Sequence, residues 1–394
     1  MNESEPRAGV IHAPRIFVEP DALESEVTRT SHADAGTAGP RLAAGRAKLL
    51  VALGLRATYV VGALGLFVLA LKLLTSGASG AQSLLERLAA DGPVNIFGFG
   101  WLGAYVMLSG SPVAATSLGL FSGGAISDLE SFTMINGSRF GASFIVLFVG
   151  LLYYLRHRRN PDGLYIGVVA LLTTFTIYTP SMAIGLVALD QGWFDGVSVG
   201  APPGVASATD ETFGVLAERA ADALPGLLVF ALGGAVLLTS FQLFDRVLPN
   251  LDPPSPRLER VLTFFHRPLT MFVVGGLVTL ATLSVSISLT LLVPLSLKGV
   301  VRRHGIVPYV MGANITTFID TLFAAVLLDT PRAVTVVVTQ MALTAAVSIV
   351  VLMVLFRPYQ RLVLGLAHRL TASRGAFLAF LAAIFLVPAV LLAV

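Results

Sequence analysis

Two short serine clusters, Ser109-Gly110-Ser111 and Ser284-Val285-Ser286, interrupt long apolar stretches of this 394-residue chain. A hydroxyl offers one donor and two acceptor lone pairs, so serines at a helix break, together with the carbonyls the break frees, can ligate sodium. Helix N-termini and hydroxyl donors suit an anion equally well. Pro112, directly after the first cluster, is placed to open a new helical segment, because the amide it lacks would go unpaired there. Arg139 and Asp320 lie inside otherwise apolar runs, where an ionised side chain is costly unless paired or hydrated. A guanidinium fork fits the oxygens of an oxyanion such as phosphate, and a carboxylate offers a cation or proton site. If the two meet, three readings stand open. Arg139 clamps a substrate anion while Asp320 takes a cation or proton; Arg139 replaces a coupling sodium with a fixed charge; or the two form a structural ion pair, with Arg139 snorkelling to the interface as a variant. Small polar residues that merely permit close helix packing are the corresponding plain reading of the serines.

The setting of these residues fixes their solvent. Only 12% of the chain is charged, 55% is hydrophobic and the mean hydropathy is +0.82, which points to a bilayer. A hydrocarbon core of roughly 30 Å needs about 20 apolar residues per helical crossing. Runs at 49–74, 140–155, 164–189, 224–244, 309–328, 334–356 and 375–394 meet that need and predict seven crossings. The stretches 94–121 and 269–297, broken at the serine clusters, predict two re-entrant hairpins. Residues 1–48, polar and without periodicity, predict a disordered cytoplasmic tail and carry no signal-peptide pattern. With no cysteine, disulfides, thiolate metal sites and cysteine nucleophiles are excluded. His157, His266, His304 and His368 have no metal-ligand spacing, so neither metal centre nor cofactor is expected. The net charge of +3 is spread over loops, which argues against nucleic acid.

An internal repeat at an offset of 175 residues organises the rest. It places Leu49 on Leu224, Pro93 on Pro268, Gly100 on Gly275, Ser109 on Ser284, Ser111 on Ser286, Gly124 on Gly299 and Gly137 on Gly312. Basic segments at 156–159, 298–304 and 357–374 belong inside and the acidic segment 190–222 outside. Each copy then crosses three times, and an odd number of crossings inverts the second copy relative to the first. Asp128 and Glu130 stand where the second copy has Arg303 and Gly305, as opposite faces require. The expected fold is therefore an all-α integral membrane protein of two inverted-topology repeats, 49–189 and 223–356, each with a re-entrant broken-helix hairpin. An extracellular loop, 190–222, joins them. A cytoplasmic linker and one extra C-terminal transmembrane helix fill 357–394. The N-terminus is expected in the cytoplasm and the C-terminus outside, across the plasma (cell inner) membrane. Inverted repeats with broken helices at the midplane are the build of secondary transporters.

Met311-Gly312-Ala313-Asn314-Ile315-Thr316-Thr317-Phe318 resembles the GANIGTT signature of the type II sodium/phosphate cotransporter family. In that family the signature follows a QSSSAT motif in each of two inverted repeats. The first copy here holds the same frame as Gly137-Ser138-Arg139-Phe140-Gly141-Ala142-Ser143, with Arg139 where the signature has Asn. The resemblance spans about 49–356. It implies opposed hairpins that bind phosphate and sodium between them. The binding residues it implies are Ser109, Gly110, Ser111, Ser284, Val285 and Ser286 at the hairpins and Ser143, Asn314, Thr316 and Thr317 beside them, with sodium at Ser109, Ser284, Asn314 and Thr317. Ser109 and Ser284 replace both glutamines of the family motif. The expected function is sodium-coupled uptake of inorganic phosphate by alternating access, with another small anion or a lipid-linked phosphate as alternative cargo. An enzyme is the third class, and the chain shows no H-E-x-x-H or Walker-type motif to support one.

Overall fold

The computed structural model describes residues 38–87, 92–156, 162–197, 200–247, 267–297 and 300–393, which form helices and short turns with no strand among them. The chain divides into 1–58, described from Ala38 onward as helix, and a compact unit from Tyr59 to Val394. Most of the expected tail, and the expectations for His157 and His266, lie outside the described residues.

Helix α1 (Ala38–Ser76) is followed by α2 (Ala78–Arg87), α3 (Pro93–Met107), α4 (Ser111–Ser122), α5 (Asp128–Arg156) and α6 (Asp162–Asp190). The segment expected as a loop carries α7 (Pro203–Thr209), a π-helical turn (Asp210–Gly214) and α8 (Val215–Ala223). Then come α9 (Gly226–Val247), α10 (Pro268–Thr282), α11 (Val285–Thr290), α12 (Leu292–Leu297), α13 (Arg303–Thr316), α14 (Phe318–Leu327) and α15 (Pro331–Val350). A π-helical turn (Val351–Leu355) leads into α16 (Phe356–Ala372), and α17 (Arg374–Ala393) ends the chain.

Among the described residues seven helical stretches are long and apolar enough to cross a membrane, one for each run read from the sequence. The sixth continues to Ala372, so residues expected as a linker are helical. The reason is amphipathic: Val363 and Ala367, one turn apart, are buried while Arg357, Arg361 and Arg369 face out. Tyr359 and Thr176 share a hydroxyl hydrogen bond of 2.7 Å that ties α16 to α6.

Glycines set the tightest packing. A Cβ on Gly100 of α3 would overlap the Met134 carbonyl of α5, and one on Gly137 of α5 would overlap the Phe97 carbonyl of α3. In α10 and α13, Gly275 stands in the same way against Tyr309 and Gly312 against Phe272. Every residue in the second set is 175 positions after its counterpart in the first. Small residues let two helices approach to backbone contact, the close packing that membrane interfaces favour.

Two apolar cores each draw on both halves of the chain. Val146 and Val169 share one with Leu292 and Val310, while Leu118 and Phe132 share the other with Phe318 and Val336. Neither half buries its apolar surface alone.

The last helix, α17, lies on α3. Tyr105 donates to the Ile384 carbonyl at 2.9 Å, Asn95 to the Leu392 carbonyl at 3.2 Å, and Gly98 sits under the backbone at Pro388. On α10, the 175-residue counterpart of α3, Leu269, Val273, Leu277 and Leu280 are exposed.

Candidate functional site

Both helix breaks turn on a leucine in the left-handed region: Leu108 at φ 50° and Leu283 at φ 46°, again 175 residues apart. A branched side chain held there costs about 1–3 kcal/mol and persists only where the surrounding structure enforces it. Asp329, at φ 51° in the turn between α14 and α15, is of a residue type that tolerates this conformation; leucine is not. Each break sits one residue ahead of its serine cluster. Ser284 accepts the Ile287 amide at 3.3 Å and caps α11.

Each break lies near one member of a buried pair, Arg139 of α5 and Asp320 of α14. Gly110 packs against α5 at Ser138 and Ala142, on either side of Arg139, and Leu283 lines the same cavity as Asp320. Arg139 is only 2% exposed. Its Nη2 lies 3.5 Å from Asp320 Oδ1 and donates to Thr321 Oγ1, while Nη1 donates to Thr317 Oγ1 at 3.4 Å. Thr321 in turn donates to Asp320 Oδ1 at 2.9 Å, and the guanidinium lies 4.9 Å from the centre of the Phe318 ring. Arg139 Nε and Asp320 Oδ2 are buried and have no partner among the described residues. A buried donor or acceptor left open costs about 1–3 kcal/mol, more when charged. The pair therefore has spare capacity of both signs: a donor for an anion and a carboxylate oxygen for a cation or proton.

Asn314, the counterpart of Arg139 in the second copy, donates to Thr174 at 3.1 Å, and its carbonyl accepts from Tyr178 at 2.8 Å. Tyr178 meets Phe318 edge-on at 5.9 Å, which links Asn314 to the pair's surroundings. Of the remaining residues singled out from the sequence, Thr317 touches Arg139, while Thr316 turns away to the Gly276 carbonyl at 3.0 Å. Ser143 bonds the Phe140 carbonyl of its own helix at 2.7 Å. Ser109, Ser111 and Ser286 lie at the breaks, and no hydrogen bond joins them to Arg139 or Asp320. Sequence reasoning missed Thr321, Phe318 and Tyr178. The Thr317-to-Thr321 spacing, one helical turn on the face that carries Asp320's neighbours, was the available signal for the first of these.

Two further ion pairs hold helix starts. Asp128, at the start of α5, meets Arg332, at the start of α15, at 2.8 Å; Arg332 also reaches Asp195. Arg303, at the start of α13, meets Asp162, at the start of α6, at 2.7 Å. Asp128 and Arg303 are repeat counterparts, so one position carries opposite charge in the two copies and each ties its own copy to the other.

Among the described residues, seven membrane-length helices, no strand and a buried, incompletely satisfied ion pair between α5 and α14 define the class: a multi-pass membrane protein with a polar centre. Compared with known proteins, the chain matches no family model, no curated protein and no solved structure.

Proposed function

We propose that this protein is a secondary active transporter for a small anion, with inorganic phosphate the first candidate and sodium the coupling ion. The carrying observation is the buried Arg139–Asp320 pair, with Nε and Oδ2 open, in a chain with two left-handed helix breaks at matched positions. Reciprocal packing supports reading the halves as inverted repeats with re-entrant hairpins: α4 packs on α14 while α11 packs on α5, and α6 packs on α13 while α15 packs on α5. Exchange of partners between two copies is what a twofold relation produces.

In this mechanism Asp320 neutralises Arg139 while the site is empty. An entering oxyanion takes the guanidinium, including Nε, and a cation or proton on Asp320 Oδ2 keeps the centre balanced. Either ion alone leaves an uncompensated charge at depth, so the two move together. The resemblance to sodium/phosphate cotransporters favours sodium and phosphate as the pair. A lipid-linked phosphate is less well supported, because among the described residues none on the wall of the cavity beside Asp320 is cationic.

Purified protein in proteoliposomes tests this directly. Radiolabelled phosphate is expected to accumulate under an inward sodium gradient and to collapse when sodium is replaced by potassium. No accumulation under either a sodium or a proton gradient rejects phosphate carriage. The ion pairs at the helix starts give a second expectation. The natural absence of cysteine lets Ser111→Cys report exposure to a membrane-impermeant maleimide added on one side. Asp128→Asn and Arg303→Gln are expected to shift its labelling rate in opposite directions, each costing less than about 1 kcal/mol of stability because the pairs are partly exposed. Shifts of the same sign oppose alternating access.

A further inference from the structure

We propose that the aromatic cavity between α1, α9 and α14 binds a lipophilic monocation, an organic amine or quaternary ammonium carried on an apolar body. The cavity measures about 350 Å³, at the small end of the roughly 300–1,000 Å³ typical of ligand pockets. Its wall is built from Phe67 of α1, Phe241 and Phe244 of α9 and Phe323 of α14, and Leu283 of the second break also lines it. Phe67 is the hub, edge-on to Phe241 at 5.7 Å and to Phe244 at 6.5 Å, and stacked on Phe323 at 6.1 Å.

Charge selects the occupant. Among the described residues the polar wall residues are Asp245 and Asp320, and none that lines the cavity is Lys, Arg or His. The Asp320 side chain is nine-tenths buried, with Oδ2 unpartnered. Asp245, near the end of α9, has no ion pair or hydrogen bond among the described residues. With Asp320 matched by Arg139, the Asp245 carboxylate gives the wall a net negative charge, which repels a phosphate. A small inorganic cation would exchange its water shell for aromatic carbon, since the wall supplies too few oxygens for the six or so that such ions take. A neutral acyl chain fills the space and leaves the Asp245 carboxylate unanswered. An organic ammonium meets every condition at once: its charge faces the carboxylates and the ring faces, and its body replaces water or lipid against the phenylalanines. The site shares Asp320 with the transport reading, and Asp245 and the aromatic wall, which that reading does not use, separate the two in the test.

The probe is benzyltriethylammonium, titrated into the full-length protein in nanodiscs and followed by calorimetry and by the thermal unfolding midpoint. Its uncharged all-carbon isostere is run in parallel. Saturable binding of the cation is expected, with the isostere and the Asp245→Asn variant each weaker by about tenfold, equivalent to about 1.4 kcal/mol. Asp245→Asn leaves the buried Arg139–Asp320 pair intact, so the test does not depend on a variant that fails to fold. Phe323→Leu keeps the volume and removes the ring face, and weaker binding of the cation alone is the expected outcome. No saturable binding, equal affinity for the isostere, or unchanged affinity in both variants overturns the proposal and leaves the cavity as a lipid-filled gap.

Discussion

Arg139→Ala is expected to abolish phosphate uptake and to lower stability by about 3–5 kcal/mol, the loss typical of removing one partner from a buried ion pair. The substitution strands the Asp320 carboxylate, already short of one hydrogen bond at Oδ2, and frees Thr317, Thr321 and the Phe318 ring from the guanidinium they surround. Stability loss alone would also end uptake, so a second variant separates the effects. Arg139→Met combined with Asp320→Leu removes both charges and fills the space with apolar side chains, a change that is often neutral or stabilising in buried pairs. The double variant is expected to unfold at or above the wild-type temperature and still to carry no phosphate. Uptake by the double variant, or undiminished uptake by Arg139→Ala, would reduce the pair to a structural element. Arg139→Lys refines the reading: the charge stays, the planar fork is lost, and uptake is expected to fall while the fold survives.

The second large effect falls where two helices touch through backbone. Gly312→Ala places a methyl group on the Phe272 carbonyl, and neither main chain can yield without separating α10 from α13. Overpacking of this kind costs about 1–3 kcal/mol or more. The expected result is a thermal midpoint lowered by several degrees and poor recovery of monodisperse protein. Gly276, one turn along α10 in the same interface, provides the control. A Cβ there meets Thr316 Cγ2 at 3.4 Å, an ordinary distance, so Gly276→Ala is expected to be neutral or to gain up to about 1 kcal/mol from helix propensity. Gly137→Ala, the counterpart of Gly312, is expected to behave like Gly312→Ala. A neutral Gly137→Ala beside a damaging Gly312→Ala would show that matched positions do not carry matched packing.

Much of this arrangement was legible in the chain. Apolar runs predicted each of the seven membrane-length helices because hydrocarbon thickness translates directly into run length. The 175-residue offset anticipated Gly100, Gly137, Gly275 and Gly312, since glycine is a residue type that close backbone approach demands. Arg139 and Asp320, singled out as charges inside apolar runs, lie 3.5 Å apart. What escaped notice did so for physical reasons. The breaks turn on Leu108 and Leu283, and nothing in leucine's chemistry announces a left-handed conformation; the serines beside them drew attention instead. Arg357, Arg361 and Arg369 made 357–374 look like a loop, although the spacing of Val363 and Ala367 was already helical. Arg332 and Asp162 were invisible as partners because their contacts depend on which helix starts share a face of the molecule. Ser143 and Thr316 satisfy themselves on nearby carbonyls, a choice that residue type leaves undecided.

The final helix gives the proposed cycle a direction of rest. Two halves that trade shapes would, if identical, make the inward-open and outward-open forms mirror equivalents of equal energy. Here α17 is fastened to α3 through Tyr105, Asn95 and Gly98, while the matching flank of α10 is bare. Under the proposed cycle, α3 is braced by α17 and α10 is not, so the two orientations differ in energy and the braced half is the frame against which the other moves.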